Sequence, residues 1–84
     1  MPRLCNLEGV TIWMEYMGHN PPHFHASYGE HNISVSIRDS RVLAGNLPKS
    51  KERILFKWAK ERRQELMSRW EDAQHGREIS PIDS

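Results

Sequence analysis

Apolar and polar positions alternate along the first half of the chain, which is typical of half-buried β-strands. The clearest segments are Val10–Tyr16, His23–Tyr28 and Ile33–Arg38, each rich in β-branched or aromatic residues. Met1–Leu7 is a candidate edge strand, and Arg41–Leu43 is a further short extended run. Turn-forming residues separate these segments, so the pattern predicts a small antiparallel sheet of about three to four strands.

The phase of the alternation predicts which side chains share a face of the sheet. A hairpin of the second and third segments must bury both apolar sets together, because a slip of one residue would bury the polar set. The opposite, polar face then carries His23, His25, Ser27, Ser34, Ser36 and Arg38, joined by Trp13 and Glu15 if the first strand is in phase. We therefore expect the functional surface on this polar face.

The second half of the chain has a helical period instead. No proline or glycine interrupts the segment from Lys49 to about Gln74, and its apolar positions fall on one stripe. The stripe consists of Leu55, Trp58, Ala59, Leu66, Trp70 and Ala73. The segment predicts either one helix of roughly seven turns or two helices with a kink near Arg62, a charged residue within the stripe.

Together the patterns predict one α+β domain over residues 1–77, with a long C-terminal helix or helical hairpin packed on one face of the sheet. Residues 78–84 are predicted to form a flexible tail. The single cysteine excludes an internal disulfide and indicates a reducing, cytoplasmic compartment. No apolar segment is long enough to span a membrane and no secretory signal is visible, so we expect no membrane partner.

The charge of the chain is nearly balanced overall but is concentrated at the start of the helical segment. The formal net charge is +1, but Lys49–Arg63 contains seven Lys and Arg residues against two acids. Lys49, Arg53, Lys57 and Lys60 project within about 80° of helix arc, opposite the apolar stripe. This basic stripe is a candidate phosphate-binding surface for nucleic acid, and the alternative is the ordinary solvated face of an amphipathic helix.

The chemically distinctive stretch is HNPPHFH, which begins at His19 and ends at His25. Pro21 and Pro22 restrict the backbone, so the histidines are delivered on a stiff loop that leads into a strand. His23 and His25 are two residues apart on that strand, so they project from the same face with Cα atoms about 6.5–7 Å apart.

Metal-independent acid–base chemistry on RNA is one interpretation of this pair. His23 and His25 can share the base and acid roles near neutral pH, with the ribose 2′-hydroxyl as nucleophile. In that interpretation Trp13 stacks on a base, and the charge at phosphorus is stabilised by an arginine. The candidate arginines are Arg38, Arg41 and Arg62.

Two other interpretations remain open. His19, His23 and His25 could bind a divalent transition metal such as zinc, with Glu15 or Glu30 as a carboxylate ligand. No CxxC or HExxH motif accompanies them. The histidines could also simply hydrogen-bond the loop and shape a surface for a partner without turnover.

Several segments of the chain resemble the small bacterial family called domain of unknown function 4160. They are His19–Ala26 with Gly29 and Glu30, Gly45–Pro48, and the helical residues Trp58, Ala59, Leu66 and Trp70. The resemblance covers nearly the whole chain but implies no established activity. Members often occur beside another small domain in arrangements similar to toxin–antitoxin modules, which implies a small cognate protein as a partner.

The chain departs from this family at Arg62, where relatives often carry histidine. From the residues and the resemblance together, we predict a toxin–antitoxin-type component that binds RNA or a small cognate protein through the polar face. It is a candidate metal-independent endoribonuclease. The metal-binding alternative uses His19, His23 and His25.

Overall fold

The computed structural model describes residues 2–83, and its main feature is a five-stranded antiparallel sheet followed by two helices. The strands are β1 (Arg3–Leu7), β2 (Val10–Trp13), β3 (His23–Tyr28), β4 (His31–Ser36) and β5 (Val42–Gly45), paired in chain order. The helices are α1 (Lys49–Glu61) and α2 (Arg63–Gln74). The predicted α+β class is confirmed, with one more strand than the upper number predicted.

The register of β3 against β4 confirms the predicted phase of the two faces. Phe24 pairs with Val35 and Ala26 pairs with Ile33, and all four side chains are buried in the core. On the opposite face, His23 lies across from Ser36 and His25 lies across from Ser34. Because the side-chain period of a strand is two, this pairing places both histidines away from the core.

Two predicted strands end earlier than the alternation suggested. β2 stops at Trp13, so Tyr16 is an exposed loop residue rather than part of the apolar face. β4 stops at Ser36, because Pro22, which lies opposite Ile37 in the register, accepts from the Ile37 amide but has no N–H to donate in return, and the chain turns over residues 37–39. Arg38 therefore lies in an exposed turn, and its predicted place on the sheet face is wrong.

The helical segment is divided into two helices at Arg62, which is the second of the two predicted alternatives. Arg62 separates α1 from α2 with φ −110° and ψ 20°. All six residues of the predicted apolar stripe are buried in the core. Among residues 2–83, no helix is long and apolar enough to cross a membrane.

The segment after α2 differs from the flexible tail that the sequence predicts. Ile79 and Ile82 are buried in the core, and the Ile82 amide donates to the Leu4 carbonyl oxygen at 2.8 Å. Arg69 on α2 donates to the carbonyl oxygens of Ser80 and Pro81. Two buried isoleucines and hydrogen bonds to the backbone thus hold residues 79–82 in place, although this segment has no regular secondary structure. Ser84 lies outside the described residues.

Candidate functional site

The three histidines of the HNPPHFH motif lie around one open depression of about 430 Å³, which we call the histidine cleft. It is bounded by the loop between β2 and β3, by the polar face of the sheet and by α2. The lining residues are Glu15, Tyr16, Met17, Gly18, His19, Asn20, Pro21, His23, His25, Ser34, Leu43 and Trp70. Strand alternation and the proline-containing loop therefore bring together residues that the sequence predicted as candidates.

His23 is fixed by two contacts. Its Nδ1 lies 2.8 Å from the Pro21 carbonyl oxygen, and because a carbonyl can only accept, Nδ1 must carry the proton and donate. The ring also packs against Trp70 of α2, with ring centroids 5.2 Å apart. This arrangement leaves Nε2 as the nitrogen that can exchange a proton with a ligand.

His25 has a different environment. Its ring is stacked on Trp13, with centroids 5.4 Å apart and an interplanar angle of 16°. Its Nε2 lies 3.2 Å from a carboxylate oxygen of Glu15. Burial of the ring lowers the pKa of His25 below its ordinary value of 6.5; nearby His23 adds to this effect and Glu15 opposes it. His25 is therefore neutral at pH 7.

The two imidazole rings contact each other edge to face. Their centroids are 5.0 Å apart at an interplanar angle of 80°. His25 is held by an aromatic ring and a carboxylate, whereas His23 is held by a backbone carbonyl and a tryptophan. Adjacent titratable groups in unequal environments are suited to separate acid and base roles.

The loop that carries Glu15 and His19 is braced by α2. The Met17 amide donates to the Ala73 carbonyl oxygen at 3.3 Å, and Gln74 Nε2 donates to the Gly18 carbonyl oxygen at 3.2 Å. A Cβ atom on Gly18 would lie 3.0 Å from the Trp70 ring. The close approach of Gly18 to Trp70 therefore sets one wall of the cleft.

The structure does not bring the predicted cations to the histidine cleft. Arg38 and Arg41 lie exposed around the β4–β5 turn, and Arg62 donates through Nε to the Asp83 carbonyl oxygen and lies 3.7 Å from Glu65. The basic stripe of Lys49, Arg53, Lys57 and Lys60 is exposed on α1. No Lys or Arg lines the cleft within the described part of the chain.

The predicted metal ligands His19, His23, His25 and Glu15 share the cleft but do not converge, and Glu30 lies outside it in the exposed turn between β3 and β4. Across residues 2–83, no group of three or more His, Cys, Asp and Glu side chains is placed to hold a metal ion. His23 Nδ1 is engaged by Pro21 and His25 Nε2 by Glu15, which leaves one free nitrogen on each ring, as in many metal-bound histidines. The lack of convergence, and not the state of the rings, therefore separates this arrangement from a metal centre.

Sequence reasoning missed three residues beside the site. Trp70 was assigned to the core, yet it also contacts His23 and lines the cleft. Tyr16 was assigned to the apolar face, yet it is exposed at the rim. Arg3 pairs with Trp13 across β1 and β2, and no pattern in the sequence fixes that register because β1 is irregular between Arg3 and Cys5.

Comparison with known proteins adds a family but no described activity. No curated protein and no solved structure matches the chain significantly. The model of one family, described as Domain of unknown function (DUF4160), matches residues 9–71, which include the histidine motif, β2 to β5, α1 and most of α2. The chain therefore belongs to the DUF4160 family.

Proposed function

We propose that the histidine cleft cleaves RNA by metal-independent acid–base catalysis, within a small domain of the toxin–antitoxin type. The observation that carries this proposal is the contact between His23 and His25, two imidazoles in unequal environments at one open cleft. Imidazoles are suited to proton transfer near neutral pH, and neither nucleophile nor metal from the protein is needed when the ribose supplies its own hydroxyl.

His25 is the candidate general base. Its Nε2–H donates to Glu15, which leaves Nδ1 with the lone pair that accepts the proton of the 2′-hydroxyl. The 2′-oxygen then forms a bond to the adjacent phosphorus. The carboxylate of Glu15 stabilises the imidazolium that results, as an acidic partner does for other catalytic histidines.

His23 is the candidate general acid. With Nδ1–H held by the Pro21 carbonyl oxygen, the protonated ring gives the proton on Nε2 to the departing 5′-oxygen as the phosphorus–oxygen bond breaks. The products are a 2′,3′-cyclic phosphate and a free 5′-hydroxyl. The imidazolium also supplies positive charge to the reacting phosphate in a cleft that no Lys or Arg of residues 2–83 lines.

The test is cleavage of single-stranded RNA by untagged protein in the presence of a chelator, with the ends of the products identified by mass spectrometry. We expect His23→Gln and His25→Gln each to lower the rate by about 10²–10⁴-fold. His31→Gln is the matched control, since His31 is exposed on β4 and does not line the cleft.

Cleavage that survives both substitutions, or products with a 5′-phosphate and a 3′-hydroxyl, would refute the acid–base assignment. Loss of activity with chelator, together with stoichiometric metal in the purified protein, would instead favour the metal-binding alternative at His19, His23 and His25.

A surface for a small cognate protein is the second candidate. Tyr16 and Met17 stand at the rim of the cleft with 45% and 66% of their surface exposed, although both are large apolar residues. A partner that packed on them would cover the histidines, as an inhibitory antitoxin must. Loss of a co-purifying partner in the Tyr16→Ala, Met17→Ala double variant, with unchanged thermal stability, is the expected result.

A further inference from the structure

Two smaller depressions on the polar face of the sheet adjoin the histidine cleft. A second depression of about 150 Å³ shares His25 and Ser34 with the cleft and extends to Trp13. A third depression of about 170 Å³ shares Trp13 with the second and is also lined by Arg3. We call this series of three depressions, from Arg3 to the histidines, the sheet groove.

Strand register explains why the three depressions adjoin one another. Arg3 lies opposite Trp13, Trp13 opposite His25, and His25 opposite Ser34, so the four residues form one row across β1 to β4. Neighbouring strands are about 4.8 Å apart, which puts the backbone of Arg3 about 10 Å from that of His25. At this spacing Arg3 lies beside the histidines, at a separation that an adjacent nucleotide can span.

The side chains of the row suit a nucleotide. Arg3 is exposed, and no acidic side chain of residues 2–83 forms an ion pair with it. A guanidinium binds phosphate through two parallel hydrogen bonds. Trp13 is half-buried, and because its Nε1 is shielded from solvent, the ring is the part of this side chain that a base can contact. Thr11 and Ser27, which line the Arg3 end beside them, are also polar.

We propose that the sheet groove binds single-stranded RNA beside the point of cleavage, with the flanking base on Trp13 and the flanking phosphate on Arg3. This inference rests on the proposed function, because it names the substrate segment that the histidine cleft would take. A single strand is required since the faces of bases in a duplex are stacked on their neighbours and cannot reach an aromatic side chain.

The test measures equilibrium binding of a fluorescent, non-cleavable 2′-O-methyl pentanucleotide by anisotropy, so that binding is read without turnover. We expect Arg3→Ala to weaken binding about tenfold and to lower the salt dependence by about one counterion. Trp13→Ala should weaken binding about five- to 100-fold. Arg63→Ala is the matched control, since Arg63 is an exposed cation outside both the groove and the basic stripe, and the affinity of this variant should stay within twofold of wild type.

Folding is controlled with conservative variants. Arg3→Lys keeps the charge but loses the two-pronged geometry, and Trp13→Phe keeps an aromatic face of smaller area. Both should bind between wild type and the alanine variants. Circular dichroism melting of each variant ensures that a loss of affinity is not a loss of structure.

Three results would overturn the proposal that the groove binds single-stranded RNA. The first is equal affinity of Arg3→Ala and wild type, and the second is equal affinity of the wild type for single-stranded and duplex RNA. The third is the absence of any oligonucleotide binding by the wild type, which would leave the groove as a surface for protein. The proposed function is read separately from cleavage of a dinucleotide, which has only the scissile phosphate and lacks the flanking phosphate assigned to Arg3. Dinucleotide cleavage without an Arg3 effect on the pentanucleotide defeats only the groove; Arg3-dependent binding without any cleavage defeats only the catalytic proposal.

Discussion

The polar face of the sheet and the basic stripe of α1 are two surfaces that could meet a nucleic acid, and they are built in opposite ways. On the sheet, His25 contacts Trp13, His23 and Glu15, so each ring has a fixed position. On α1, none of the four cations forms a hydrogen bond or an ion pair with a side chain of residues 2–83, and all are exposed. The sheet offers fixed geometry, whereas the helix offers charge.

This difference separates two contributions to recognition. Exposed cations attract phosphate over a distance and are screened by salt, but they position nothing. Side chains that are half-buried and in mutual contact have lost most of their freedom before a ligand arrives, so less entropy is lost on binding. We infer that the stripe would affect how fast RNA arrives, and that the sheet face would decide where it is cut.

Replacement of Trp70, the α2 residue that contacts His23, should have the largest effect on stability. Trp70→Ala removes a nearly fully buried side chain that also forms a wall of the cleft, and should lower the free energy of unfolding by about 3–5 kcal/mol. Trp58→Ala is the matched control, because Trp58 is equally buried but packs on Phe24 away from the cleft. Urea unfolding should give similar losses for both.

The milder phenylalanine variants then test the cleft itself. Trp70→Phe should weaken cleavage because the contact with His23 changes, whereas Trp58→Phe should leave cleavage unchanged. Equal activity of the two phenylalanine variants would show that Trp70 acts only as a core residue.

The second effect is the dependence of stability on pH, which should trace to His25. Its pKa is lower in the folded protein than in the unfolded chain, so the folded state binds fewer protons between those two values. The stability from neutral His25 is therefore present above the unfolded value of about 6.5 and is lost as the pH falls through the folded value. Groups facing His25 are His23 and Glu15.

We expect His25→Gln to flatten the pH dependence of the unfolding free energy below about 6.5, measured by urea titration at a series of pH values. His31→Gln should retain the dependence of the wild type, since His31 is exposed. An unchanged slope in His25→Gln would place the proton uptake at another group.

The smallest effect should come from the basic stripe. Replacement of Lys49, Arg53, Lys57 and Lys60 together by Gln should slow RNA association and reduce its salt dependence, without changing the rate of the cleavage step. Stability should rise by less than about 1 kcal/mol, because Lys49–Arg53 and Arg53–Lys57 are like-charge pairs four residues apart. Stopped-flow binding measures the association of RNA, and single-turnover cleavage measures the chemical step. A large loss in the cleavage rate would show that the basic stripe, and not only the sheet face, takes part in cleavage.

Some of this arrangement follows from the sequence and some does not. The faces of β3 and β4 follow from alternation, since only one register buries Phe24 and Ala26 with Val35 and Ile33. The position of Arg38 does not, because β4 ends where its partner across the sheet is Pro22, which has no N–H to continue the ladder, and alternation within one strand does not show which residue lies opposite.

The second role of Trp70 was also beyond the sequence. A helical stripe shows that a residue faces inward, but it does not show that the indole meets Gly18 and His23 from the loop before β3. Periodicity thus predicts faces, whereas the end of a strand and the contacts of a loop depend on partners far along the chain.

The hydrogen bond from the Ile82 amide to the Leu4 carbonyl oxygen has a consequence for self-association. β1 is an outer strand of the sheet, and an uncovered outer strand is a template on which a second chain can add. With Leu4 engaged and Ile82 buried beside it, this margin is blocked by the protein's own C-terminal segment. Removal of residues 78–84 should therefore increase aggregation through β1, which light scattering of the full-length and shortened proteins would compare.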